Sequence, residues 1–337
     1  MPLQVLLLIM KFNLILIAAA FIAALFSSCG DSDSDKKEEK TEVNVPVFSA
    51  DSAYVYIERQ FMFGPRVPAT PAHDSCLSWM VESFRVFNAD TVIVQRGEVK
   101  LYDGSTKPLA NVIASYNLQA SSRILLCSHW DSRPFADQDV NPATRKTPIA
   151  GVDDGASGVG VLLEVARHLG EQMPNIGVDI IFFDLEDWGA PEWENRSASA
   201  DNGWCLGSQY WSKNKHEMGY SAQYGILLDM VGGSDTKFYR EYFSEMNAKW
   251  VNDKVWGMAH ELNMDGRFVS REGGAITDDH VAVMKFGGIP CIDIVAYSPQ
   301  VNSGFPDYWH THNDDMRNIS RATLNDVGTL LLHIIYR

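Results

Sequence analysis

Four apolar runs along this chain each lead to residues able to hold a metal ion or move a proton. Val178-Asp179-Ile180-Ile181-Phe182-Phe183 runs through Asp184-Leu185 into Glu186-Asp187. Ile124-Leu125-Leu126-Cys127 precedes His129 and Asp131, Ile226-Leu227-Leu228 precedes Asp229, and the stretch from Ile289 to Tyr297 lies upstream of His310. Short, nearly continuous apolar runs are what strands buried on both faces require. Strands of an open α/β sheet present functional side chains at their C-terminal edge. A single acid after a strand is more often a helix cap or a solvated loop residue; four such coincidences point to one site.

Between these runs the period changes to that of helices. Residues 51 to 63 place Tyr54, Ile57 and Phe61 on one face, and His73 to Phe87 is a second helical stretch after the break Gly64-Pro65-Arg66-Val67-Pro68. Val92 to Leu101 and Asn111 to Leu118 alternate as strands joined through Asp103-Gly104. Val159, Leu162, Leu163, Ala166 and Leu169 form the apolar face of a helix that Gly170 should stop. Further helices are expected to open within Trp204 to Trp211 and from Arg321 onwards. The pattern predicts one α/β domain with a mixed central β-sheet flanked by helices.

The front of the chain follows other rules. Leu14 to Phe26 is apolar, follows Lys11 and runs into Ser27-Ser28-Cys29. That reads as a lipoprotein signal peptide over 1–28, with Cys29 lipidated and 29–48 a flexible, charged tether ahead of a catalytic domain at 49–337. The expected location is the bacterial cell envelope, with the protein held to the membrane through the lipid on Cys29. Of 337 residues, 28 are basic and 43 acidic, a formal charge of −15, with no basic run interleaved with aromatics, so nucleic acid is excluded as a partner. The five cysteines form no CxxC pair. Cys127 and Cys291 fall in strand-like runs and read as core thiols, whereas Cys76 and Cys205 could pair in an oxidising compartment.

The candidate chemistry starts at His129-Trp130-Asp131, where the acid could orient the imidazole by accepting its second N–H. Asp153-Asp154-Gly155-Ala156-Ser157-Gly158 opens a helix, so one acid can meet free N–H groups while the other is left for a metal. In Glu186-Asp187 an extended backbone would turn the two side chains apart, one to ligate and one to carry a proton. The polar segment from Gly189 to Gly203 and the residues after it contain Trp193 and Trp204, placed either to wall a pocket or to pack on the core. His73, His168, His216, His260 and His333 lie in ordinary helical contexts and carry no chemical expectation.

The ordered set His129-x-Asp131, Asp153-Asp154-Gly-Ala-Ser-Gly, Glu186-Asp187, Asp229 and His310 resembles the co-catalytic zinc aminopeptidases over about residues 55 to 337. In them, residues matching His129 and Asp229 bind one zinc, those matching Asp187 and His310 bind the other, Asp154 bridges, and Glu186 is the general base. Thr277-Asp278-Asp279-His280, Phe305-Pro306-x-x-Trp309-His310-Thr311 and Trp193 are closer to the glutaminyl cyclases of that group. That resemblance implies cyclisation of N-terminal glutamine on peptides and proteins to pyroglutamate, with loss of ammonia. It further implies one Zn2+ on Asp154, Asp187 and His310, catalytic roles for Glu186, Asp229 and Asp279, and substrate contacts from Trp193 and Trp309. His129 and Asp229 would ligate a metal only in the rival reading, a two-zinc aminopeptidase. One departure is Asp187, where glutamate is commoner; its carboxylate reaches about 1.5 Å less far from the backbone.

Overall fold

The computed structural model describes residues 44–194, 203–301 and 303–337. The signal segment, Cys29 and the tether up to residue 43 lie outside the described residues, as does 195–202 of the polar segment. Numbered from the first described element, the order is α1 (Ala50–Phe63), α2 (Pro71–Val86), β1 (Thr91–Lys100), β2 (Thr106–Tyr116), β3 (Arg123–His129), α3 (Ala156–Glu171) and β4 (Gly177–Phe183). Then follow α4 (Leu206–Lys213), β5 (Gly225–Asp229), β6 (Phe238–Arg240), α5 (Tyr242–Glu261), β7 (Phe268–Glu272), α6 (Asp279–Lys285), β8 (Cys291–Val295) and α7 (Arg321–Tyr336).

Six strands form one mixed sheet in the order β1-β2-β4-β3-β5-β8, and β6 and β7 pair separately. β2 is antiparallel to both its neighbours, while β4, β3, β5 and β8 are mutually parallel. The parallel strands therefore end on a common edge, which is where the four apolar runs deliver their polar residues. Side chains alternate between two apolar layers, as a period of two demands. Ile124, Leu126, Val178, Ile180, Phe182, Ile226 and Leu228 face the larger layer, which holds residues of α1, α2, α3, α5 and α7. Leu125, Cys127, Ile181, Phe183 and Leu227 face a smaller layer with Trp211 of α4 and Val283 of α6. Each such fully buried aliphatic or aromatic side chain contributes roughly 1.5–3 kcal/mol, and the helices on both faces explain why the strands need no polar side.

Capping sets where the first helices start. Ser49 accepts from the Ser52 amide ahead of α1, and Thr70 accepts from the His73 amide ahead of α2, with Pro71 in the first turn. Three expectations are corrected. Packing begins ahead of residue 49, because Phe48 is buried against Gly328 of α7. Gly170 does not stop α3, which continues to Glu171; a Cβ at position 170 would lie 1.9 Å from the Phe87 carbonyl oxygen, so this glycine serves close approach. Cys76 and Cys205 are separate, free, buried thiols.

Candidate active site

The N-terminus of α3 is pressed onto the carboxyl edge of the sheet. A Cβ at Gly158 would meet the Leu228 carbonyl oxygen at 2.6 Å, and one at Gly155, whose φ is +88°, would meet His129 Cε1 at 2.8 Å. The two glycines let the helix start and His129 come together. The buried Arg66 guanidinium donates to the carbonyls of Trp130, Ala150 and Gly151, fixing the loop that leads into Asp153-Asp154. The amides of Asp153 and Asp154 donate to the buried Asp314 carboxylate. Asp153 itself accepts from the Gly232 amide at 2.7 Å and the Tyr308 hydroxyl at 2.6 Å, which leaves Asp154 as the acid that faces the site. The two acids divide as expected, although Asp153 braces a neighbouring loop rather than capping α3.

Asp131 has a different task from the one expected. Its Oδ1 lies 3.6 Å from His129 Nδ1, too far for a good hydrogen bond. Instead its two oxygens accept from the amides of Glu186 and Asp187 at 3.1 and 3.3 Å. Leu185, with φ of 55°, turns the chain so that both amides reach it. Met230, Cys205 and His310 are also left-handed non-glycine residues, at φ 47°, 55° and 55°. Such conformations cost about 1–3 kcal/mol each and persist where the surroundings over-determine them. Here all four adjoin, or are, residues of the site.

Two triads share Asp154. His129 Nε2 lies 3.0 Å from Asp154 Oδ1 and 3.2 Å from Asp229 Oδ1. His310 Nε2 lies 3.2 Å from Asp187 Oδ1 and 3.7 Å from Asp154 Oδ2. In each triad one ligand atom per residue falls within 4.8 Å of the others, a spacing that can close on a metal ion. Asp154 Oδ2 and Asp187 Oδ2 are buried without a hydrogen-bond partner. Two buried, partnerless carboxylate oxygens beside an imidazole nitrogen fit a zinc ion. The shorter Asp187 still brings Oδ1 within 3.2 Å of His310 Nε2, with its amide held by Asp131.

His310 is held from behind. Its Nδ1 is 3.4 Å from Asp137 Oδ1, and Arg133 grips both oxygens of Asp137 at 2.8 and 2.6 Å while donating to the Asp187 carbonyl. Its ring stacks on Trp309 at 3.7 Å and lies nearly parallel to Trp204 at 5.9 Å. Arg133 also sits 4.6 Å over the Trp204 ring. Burial alone would push Asp137 up, but Arg133 and His310 outweigh it and hold the carboxyl well below the usual range.

Asp154, Glu186, Asp187, Asp229, Trp309 and His310 line a cavity of about 740 Å³. Burial, then the charge of Asp278, raises the Glu186 carboxyl well above its ordinary value. Burial raises Asp229 to about 7. Two sequence assignments are displaced. Trp193 is 39% exposed on the short turn Glu192–Glu194, edge-on to Phe135, and it does not line the cavity; Trp204 does. Asp279 is fully buried beneath the start of α6, and it is Asp278, capping that helix, that faces the cavity. Both displacements are shifts along a loop, where neither period nor strand register fixes which side chain points inward. Arg133 and Asp137 lie in an irregular segment, where their one sequence signal is an arginine four residues from an aspartate.

The model of peptidase family M28 matches residues 111–335. The glutaminyl-peptide cyclotransferase of Bos taurus is 23% identical, over 79% of this chain and 76% of its own. Among solved structures, the glutaminyl cyclase of Bacteroides thetaiotaomicron, bound to N-acetylhistamine, is 44% identical with a TM-score of 0.85, over 87% of this chain and 99% of its own. A Zn-dependent exopeptidase from Parabacteroides distasonis is 46% identical with a TM-score of 0.84, over 87% of this chain and 100% of its own.

Proposed function

The chain belongs to peptidase family M28, in its glutaminyl cyclase branch, and we propose that it converts N-terminal glutamine of peptides and proteins to pyroglutamate with release of ammonia. The observation that carries this reading is Glu186. It is a buried carboxyl facing the cavity, with its pKa raised by burial, next to the triad that would hold the metal and within the same wall as two tryptophans. A zinc ion on Asp154, Asp187 and His310 would supply a Lewis acid for the side-chain amide carbonyl of the substrate. Trp309 and Trp204 give the glutamine side chain aromatic faces against which to fold back toward its own α-amine. Glu186 takes a proton from that amine as the new C–N bond forms, and returns it to the leaving amide nitrogen as the old C–N bond breaks. Burial and the charge of Asp278, on the same wall, favour the protonated form of Glu186 that the second transfer needs.

One ion is the proposed complement. His129 Nε2 already has Asp229 as a hydrogen-bond partner, so the ring nitrogen that would face a second cation is engaged without one. The rival two-zinc aminopeptidase rests on the same three residues being present, and it needs them to open around a second ion. Ammonia release from a Gln-initiated dipeptide, run beside cleavage of a leucine anilide, separates the two readings. Zinc-dependent ammonia without anilide cleavage is expected; anilide cleavage without ammonia would assign the chain to the peptidases. We also propose that the protein is anchored at the cell envelope through lipid on Cys29, a reading supported by the Leu14–Phe26 run into Ser27-Ser28-Cys29. Cys29→Ser should move it from the membrane fraction to the soluble one, and unchanged membrane association would remove the anchor.

A further inference from the structure

A third group of ligating atoms lies in the same cavity. Cys205 donates its S–H to Glu186 Oε1 at 3.2 Å, and Asp278 completes a set whose ligand atoms all fall within 4.8 Å of one another. The three residues are 4–8% exposed and line the cavity. Asp278 Oδ2 is buried there without a hydrogen-bond partner. Cys205 reaches the set because its backbone is left-handed just ahead of α4, where its side chain makes no cap hydrogen bond. The composition differs from that of the two triads around Asp154, which contain imidazole and carboxylate only. One sulfur with two carboxylates suits a thiophilic divalent cation, zinc in excess or cadmium.

We propose that Glu186, Cys205 and Asp278 form an inhibitory site for a second, thiophilic divalent cation. Binding releases the Cys205 thiol proton, with any proton held on the two carboxyls, to solvent and forms bonds from the cation to sulfur and to one oxygen of each acid. No oxidant or reductant is involved. The inhibitory part rests on Glu186 being the proton carrier, because a cation on its carboxylate removes the base without touching Asp154, Asp187 or His310.

The test is a cadmium titration of the zinc-loaded protein, read by the ultraviolet thiolate-to-cadmium charge-transfer band, by metal analysis and by ammonia release. One extra cadmium per chain is expected, with the band rising and turnover falling together while the zinc remains. Cys205→Ser should lose the band and need at least about 10–100-fold more cadmium to halve its own turnover, the loss that even an outer-shell partner of a metal site produces. Asp278→Asn keeps a helix-capping side chain and should weaken the band without removing it. Absence of the band in the unaltered protein, or its persistence in Cys205→Ser, overturns the site. A band with full turnover would keep the site and overturn inhibition, and with it the role of Glu186. Loss of zinc in step with cadmium uptake would also overturn the proposal, since the resident triad would then be the target.

Discussion

The two triads that share Asp154 are built from the same residue types, yet they leave different atoms unsatisfied. In the His129 triad the imidazole Nε2 meets two carboxylate oxygens at 3.0 and 3.2 Å, and the atom left without a partner is His129 Nδ1 rather than a carboxylate oxygen. In the His310 triad Asp154 Oδ2 and Asp187 Oδ2 stay partnerless, a condition that ordinarily costs about 1–3 kcal/mol per buried group. Among the described residues, the second also has a support in which Arg133 and Asp137 hold the ring of His310. A ligand set can therefore persist in sequence while its geometry closes, and orphaned atoms plus support distinguish a working metal position better than residue identity does.

The comparison breaks most visibly by deleting one imidazole from each side. His310→Ala should lose the metal and with it turnover, an effect beyond the roughly 10–100-fold typical of outer-shell partners. His129→Ala should keep its metal content close to that of the unaltered protein. Metal analysis of both variants decides the matter, and equal losses would make the triads equivalent. Glu186→Gln comes next, with turnover lowered about 10²–10⁴-fold and zinc retained, checked by ammonia release on metal-matched samples. Unimpaired turnover there would take Glu186 out of the mechanism.

Smaller effects sharpen the picture of support. Asp137→Asn removes the charge that Arg133 and His310 share, and should weaken zinc affinity about 10–100-fold, measured by competition with a chelator. The buried acids behind the closed triad give the weakest signal. Burial, then the charges of Asp278 and Asp229, hold the Asp293 carboxyl well above its ordinary value of 3.8. In the unfolded chain it ionises near that value, so the unfolded state binds fewer protons above it, and folding stability falls as pH rises toward the folded value. Asp293→Asn removes this contribution, so its denaturant midpoint should drop less than that of the unaltered protein between about pH 5 and about pH 8. Parallel declines in the two proteins would place the pH sensitivity elsewhere.

The sequence was most readable where a period constrained it. Strands β3, β4 and β5 must be apolar on both faces, so their ends, and hence His129, Glu186, Asp187 and Asp229, could be placed before any geometry was known. Asp154 and His310 followed from motif order. Legibility failed where chain direction is set by contacts distant in sequence. Trp204 replaces Trp193 at the cavity because the intervening segment has no period to fix its register. Asp278 replaces Asp279 because the first residue of α6 turns inward and the capping residue outward, a one-residue distinction visible only in the backbone angles. Asp131 serves the Glu186 and Asp187 amides instead of His129 because Leu185 is left-handed, which no composition rule reports. Gly170 looked like a helix stop and proved to be a contact point with Phe87.

The most direct measurement is the zinc content of fully active protein, counted per chain alongside ammonia release as chelated protein is titrated with zinc. The account predicts that turnover is complete at one zinc per chain, bound at Asp154, Asp187 and His310. Turnover that appears only as a second equivalent fills would contradict it, because His129 and Asp229 would then have to release each other and take part as ligands.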